Sequence, residues 1–178
     1  MNSSTERPDA HDGTCGFTTH LDILREVPLL VGMPLDVLKV LAYLSGSESF
    51  RAGDNLCVQG EVFDSCRYVM HGRVEILRAA AGGAPALVRE AGQGWAFGGL
   101  SLLTHHATSL YTIRAKDDVE CLVLSREKFQ KSAERFPQIL PRVLTAVVDH
   151  MFAWEAKVLA SREHGAAKPQ DIDGLTLF

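Results

Sequence analysis

The sequence predicts a mainly β domain flanked by helices (α+β), with its short strands in a closed or double-sheet arrangement. Three observations carry this reading. Apolar residues recur at helical spacing between 18 and 44, the period drops to two from Phe50, and helical spacing returns after Ser125. Glycine-bearing turns separate the short middle segments, a pattern that suits a sandwich or barrel-like unit.

Residues 1–16 are polar, carry Gly and Pro, and are expected to be disordered. Thr19 is placed to cap "LDILREVPLL". After the break at Gly32 and Pro34, Leu35, Leu38, Leu41 and Leu44 recur at helical spacing, with Pro34 suited to the first turn. The strand candidates are "NLCVQG", "CRYVMHG", "RVEILRA", "ALVREA", "LYTIRA" and "VECLVLS". Between them lie "AGD", "GEVFD", "HG", "AGGAP" and "GQG", all turn chemistry. Ser125 is placed to cap "REKFQKSAERF", and Pro137 ends that helix. A second helix is expected from about 138 to 162. In it Leu140, Leu144, Val147, Met151, Trp154 and Val158 alternate four and three apart. They form a heptad seam, shorter than the ~3–4 heptads of an established coiled coil. The expected organisation is a disordered 1–16, a domain over 17–136, a dimerisation helix over 137–163 and a flexible tail over 164–178.

The chain has 178 residues, 46% of them apolar and 22% charged, which suits one domain with a sizeable core. A net charge of −4 with no Lys/Arg cluster argues against a nucleic-acid footprint. The four cysteines, Cys15, Cys57, Cys66 and Cys121, share no metal-ligand spacing. They read as small buried thiols in a reducing, cytoplasmic compartment. The N-terminus has no apolar h-region, and no apolar run is long enough to cross a membrane. His105 and His106 are adjacent, so on an extended loop they point apart and do not chelate one metal. His71 sits at a strand-turn-strand corner. No nucleophile motif is present, and the protein is read as a non-enzyme without a cofactor.

The stretch "FRAGDNLCVQGEVFDSCRYVMHGRVEIL" resembles the opening of cyclic-nucleotide-binding domains, with Gly53, Gly60, Gly72, Gly94 and Gly98 at the family's turn positions. "VPLLVGMPLDVLKVLA" resembles the N-terminal helices of the same family, and the likeness runs from Leu21 to Phe136. It also resembles the sensor domains of bacterial regulators of the cyclic-AMP receptor and Fnr type. The resemblance implies a double-stranded β-helix or jelly-roll β-roll with N-terminal helices and a long C-terminal helix. In such relatives that helix forms the dimer interface; the alternative is that the seam packs back on its own roll. The glycines also have a local reading, since sharp turns between short strands need positive φ or close backbone approach. They build the roll and say little about a ligand.

In the family, the phosphate-binding segment opens with Phe-Gly-Glu and ends with Arg followed by Ser, Thr or Ala. Here it reads "FGGLSLLTHHATSLYTIRA". Phe97 and Gly98 match, Gly99 stands at the Glu position, Ser109 at the Arg position and Leu110 after it. Both polar anchors are missing. Arg114 lies five residues beyond Ser109, roughly 16 Å along a strand and on its other face, so it is no substitute. Losing one partner of a buried charge pair costs about 3–5 kcal/mol, roughly two to three and a half decades of affinity. Backbone N–H groups of Gly98, Gly99, Leu100 and Ser101 still open a helix, an arrangement that suits an anion. The expectation is no cyclic-AMP binding at micromolar levels; the alternative is a sensor of a cyclic nucleotide or another anionic ligand through an atypical pocket.

No helix-turn-helix segment follows Arg162, so direct DNA binding is not expected. The reading is a stand-alone regulatory module, homodimeric through its C-terminal helix, that acts on an unidentified protein partner. The ending "GLTLF" resembles peptides that dock on the bacterial sliding clamp, although Gly174 stands where those usually carry Gln. More generally it reads as a docking peptide on a flexible tether.

Overall fold

Strand alternation decides how the chain folds. In the strands over 65–71 and 119–125, residues on both faces are buried, whereas the strand over 112–115 alternates between buried and accessible positions. A sheet buried on both faces needs a second layer on each side. The computed structural model, which describes residues 12–80 and 83–163, supplies those layers.

Helix α1 (Asp12–Glu26), a 3-10 turn (Pro28–Leu30) and α2 (Leu35–Leu44) precede eight strands. These are β1 (Gly46–Phe50), β2 (Asn55–Cys57), β3 (Ser65–His71), β4 (Arg73–Ala79), β5 (Pro85–Gly92), β6 (Ala96–Phe97), β7 (Thr112–Ala115) and β8 (Val119–Ser125). A second 3-10 turn (Gly99–Leu102) lies between β6 and β7, and α3 (Arg126–Arg135) and α4 (Ile139–Glu163) follow. The strands form two sheets, ordered β1-β8-β3-β6 and β2-β7-β4-β5. All the pairings are antiparallel. This is the expected β-roll with helices before and after it.

Two apolar clusters hold it. Val69, Val74, Ile76, Phe97, Ile113, Val119 and Cys121 fill the space between the sheets. Cys66, Tyr68, Leu122 and Leu124 leave the other face of the first sheet and meet Leu24, Leu30, Val37, Leu41, Phe129 and Ile139 of the helical layer. The helices are also tethered by a polar bond, in which Tyr68 Oη donates to a Glu26 carboxylate oxygen at 2.7 Å.

Most punctuation falls where the sequence places it. Ser125 Oγ accepts from Lys128 N at 3.4 Å and caps α3, and all five expected turn glycines have positive φ. At Gly72 a side chain is excluded outright, because its Cβ would run into the Asp118 carbonyl oxygen. Pro34 occupies the cap of α2 rather than its first turn, its carbonyl accepting from Leu38 N at 3.0 Å.

Three expectations need correcting. Helix α1 begins at Asp12, inside the segment expected to be disordered, and Thr19 lies within it instead of capping it. Burial of Leu21, Leu24 and Val27 supplies the nucleus, and each further turn then propagates at little cost. Strands β1 and β6 were not anticipated, because "GSESF" is polar and β6 has only two residues. Residues 1–11 and the tail 164–178, with its "GLTLF" ending, lie outside the described residues. Among the described residues no helix is long and apolar enough to cross a membrane, and no cluster of His, Cys, Asp or Glu is arranged for a metal.

Burial pushes the thiols of Cys66 and Cys121 up from 9.0 to about 12. Burial and the Glu26 carboxylate push the Tyr68 phenol from 10.0 to about 12. The unfolded chain ionises these groups at their ordinary values, so above pH 9.0 it binds fewer protons than the folded one. Stability is therefore full below that pH and falls progressively toward pH 12. Each group contributes up to about 1.4 kcal/mol per pH unit. Urea midpoints at neutral pH and at about pH 10.5 are expected to show this loss, and a Cys66→Ala/Cys121→Ala variant should lose less over the same interval.

Candidate functional site

The segment that follows β6 turns at Gly98, whose φ is +78°. Only glycine takes this turn here, since a Cβ would collide with the Phe63 ring and the Ser65 carbonyl oxygen. Phe63 therefore packs directly on the backbone of the segment. Its ring stacks on Phe97 with centroids 5.8 Å apart, and Phe97 stacks on Trp95 at 4.9 Å. Ser101 Oγ lies 2.6 Å from the Gly98 carbonyl oxygen and 3.0 Å from that of Ser65. Arg126 Nη1 donates to Thr104 O at 2.6 Å and holds the loop that follows the 3-10 turn.

The loop leading to β7 forms the facing wall. It pairs with residues 60–63 through Gly60 N to Ser109 O at 2.7 Å, Ser109 N to Glu61 O at 2.9 Å and Phe63 N to Ala107 O at 3.0 Å. The preceding Gln59 is locked to β4, its side-chain amide donating to Ala79 O at 3.1 Å and accepting from Ala79 N at 2.8 Å. Ser109 Oγ donates to Tyr111 O at 2.6 Å, accepts from Tyr111 N at 3.3 Å and lies 3.5 Å from Cys57 Sγ. Its hydroxyl is thus spent on a local turn.

Between these walls lies a cavity of about 70 Å³. Of the expected pocket residues, Phe97, Gly98, Leu100, Ser101, Ser109 and Leu110 line it, while Gly99 is buried in the 3-10 turn and does not. Leu110 is 45% exposed and does not fill the space. The filling comes from Phe63, Phe97 and Tyr111, together with Cys57 and Ile113. Phe63, Tyr111 and Cys57 went unnoticed in the sequence; the available signal was a large aromatic in the turn segment "GEVFD". Since a water takes ~30 Å³ and small-molecule sites run to ~300–1,000 Å³, this volume suits waters rather than a nucleotide. Burial raises the Cys57 thiol, with the Ser109 hydroxyl and Arg67 pulling the other way. Among the described residues no charged side chain lines the wall.

The remaining candidates lie elsewhere. Arg114 points outward on β7 and pairs with Glu75 at 2.7 Å, as its offset from Ser109 requires. His71, His105 and His106 are exposed.

Helix α4 carries the second group of expected residues and divides them. Ile139 and Val143 are buried, and Val147 packs beside them on the protein's own core. Trp154 and Val158 are half-buried. Leu140, Leu144 and Met151 are exposed. The row Leu140, Leu144, Val148, Phe152 advances about 40° at each step, so it winds away from the domain. With Met151 and Leu159 it forms an accessible apolar stripe in which Leu144 is 64% and Phe152 67% exposed. The heptad pattern read from the sequence runs between the two apolar faces of this helix.

A jelly roll with a glycine-turned 3-10 segment over its cavity, framed by N-terminal helices and a long terminal helix, is the architecture of a regulatory nucleotide-binding domain. Residues 47–136 match the cyclic nucleotide-binding domain, and the chain belongs to that family. It is 28% identical over 119 residues to human cGMP-dependent protein kinase 2, a match covering 66% of this chain and 16% of the kinase. It therefore spans about a sixth of the length of that relative. Among solved structures it resembles the N-terminal domain of a transcriptional regulator from Streptomyces coelicolor A3(2), with a TM-score of 0.68 and 23% identity over 77% of this chain and 95% of that one. It also resembles the regulatory subunit of a cAMP-independent protein kinase A from Trypanosoma cruzi bound to guanosine, with a TM-score of 0.61 and 25% identity over 84% of this chain and 51% of that one.

Replacing Gly98 with Ala combines left-handed backbone strain with a Cβ driven into Phe63 and Ser65. The expected loss is about 2–4 kcal/mol, read from urea denaturation, while Gly53→Ala, where a Cβ meets open space, is expected to lose only the backbone part.

Proposed function

We propose that this domain is a regulatory module whose nucleotide pocket is disarmed and which works by associating with another protein chain. The observation that carries the reading is the cavity itself: about 70 Å³, walled by aromatic rings, with Gly99 and Ser109 where the family places its acid and its arginine. Ser109 is engaged with its own turn, and among the described residues nothing charged lines the wall. The route to association is α4. Its outward stripe is about 28 Å long from Leu140 to Leu159 and suits a second copy of the same helix.

A sensor of another small ligand is the second reading. The observation favouring it is the similarity to the regulatory subunit of a cAMP-independent kinase that is bound to guanosine, a ligand other than a cyclic nucleotide. In this chain the hydroxyls of Thr108 and Ser109 beside the cavity are the groups such a ligand would meet.

Isothermal titration with cyclic AMP, cyclic GMP and cyclic di-GMP is expected to give no micromolar binding. The Ser109→Arg/Gly99→Glu variant, which restores both anchors, reports whether the anchors alone are missing. Micromolar binding of a cyclic nucleotide by the wild type would overturn the reading. Light scattering is expected to give twice the chain mass for the wild type and a single chain for Leu144→Asp/Phe152→Asp, because a carboxylate in the stripe is buried without a partner on pairing. A monomeric wild type would move the association surface elsewhere.

A further inference from the structure

Arg67 is a cation that the disarmed pocket does not use. It stands on β3 and its side chain is only 13% exposed. A guanidinium this deep is costly unless its donors are paired. Nη1 donates to Leu56 O at 2.5 Å and Nη2 pairs with Glu48 at 2.9 Å, but Nε is buried and has no partner. The Glu48 side chain is itself 47% exposed, so its pairing is a weak restraint. Two aromatic rings lie against it, with the Phe63 ring centroid 5.0 Å and the Phe50 centroid 5.6 Å from the guanidinium carbon. Phe63 is also part of the cavity wall, as is Cys57, next in sequence to the carbonyl that Arg67 holds. One aromatic ring therefore separates an incompletely paired cation from a cavity whose wall has no charge.

We infer that the roll contains a gated oxyanion site in which Phe63 is the gate and Arg67 the anchor. When the ring leaves Gly98, the Nε–H edge of Arg67 opens to the cavity. A phosphate or carboxylate group then pairs with that edge through two parallel N–H bonds, and its charge replaces that of the Glu48 carboxylate. The ring gives up its contact with the cation in exchange. The charge arrives from β3, independently of the residue at position 109, so the site does not depend on the anchors that the pocket lacks.

The test titrates inorganic phosphate into the full chain while NMR follows the Nε–H resonance of Arg67. The wild type is expected to respond only at millimolar phosphate, Phe63→Ala to bind at least tenfold more tightly, and Phe63→Ala/Arg67→Gln to lose the binding. Glu48→Gln is expected to tighten the wild-type response. Phe63→Leu, which disturbs packing less, is expected to fall between wild type and Phe63→Ala, and decides the matter if the alanine variant does not fold. Phosphate affinity unchanged in both Phe63 variants, binding that survives loss of Arg67, or a wild type silent at every phosphate concentration would each overturn the inference. A parallel cyclic-AMP titration of Phe63→Ala separates the sources: tighter binding than phosphate assigns the oxyanion to a nucleotide, and equal binding assigns it to a free anion. Neither result touches the micromolar silence expected of the wild type, so the two readings fail separately.

Discussion

The contact between the Phe63 ring and the backbone of Gly98 organises everything around the cavity. It requires the positive φ at Gly98, and that turn sends the chain into the short 3-10 segment. It aligns Phe63 with Phe97 and Trp95, and so joins the pocket wall to the interior of the roll. It also fixes the 60–63 stretch, whose backbone carries the facing loop and Ser109. Moving the ring would disturb three walls at once. Close-packed interiors behave in this way, with a few discrete arrangements in place of gradual deformation.

The helical layer is held by different means. The first sheet is sandwiched, its inner face against the second sheet and its outer face against α1, α2, α3 and the start of α4. Most of that layer is apolar packing, which is strong but without direction. The bond from Tyr68 to Glu26 adds the direction, fixing the end of α1 over β3. Helix α4 packs on the layer as far as Val147, and its far half has solvent on the side where Phe152 and Leu159 lie.

The fold was legible because its signals are local. Period-two segments and turn glycines depend on backbone conformation within a few residues, and the five glycines all have the positive φ their positions called for. Ser125 capped α3 for the same reason. Strand β1 was illegible because it pairs along one edge of β8 and buries little of itself, so its polar "GSESF" carries no alternation. The pocket was half legible. Aligning motifs located its rim and exposed the two missing anchors, but what occupies the space depends on Phe63, more than thirty positions before Gly98. No periodicity encodes such a long-range contact. The α4 seam runs between two apolar faces of the helix, and spacing alone cannot say which face meets which neighbour.

The order of the sheets decides which strands keep an unpaired edge. Four strands lie at edges: β1, β6, β2 and β5. Three of them are short or polar, "GSESF", the two-residue "AF" and the three-residue "NLC". The fourth, β5, begins at a proline, carries Arg89 and Glu90, and faces an irregularity in β4 between Ile76 and Leu77. Proline, charge and irregular pairing are the devices that keep exposed edges from recruiting further strands. A β-rich roll built this way resists growth into open-ended sheets.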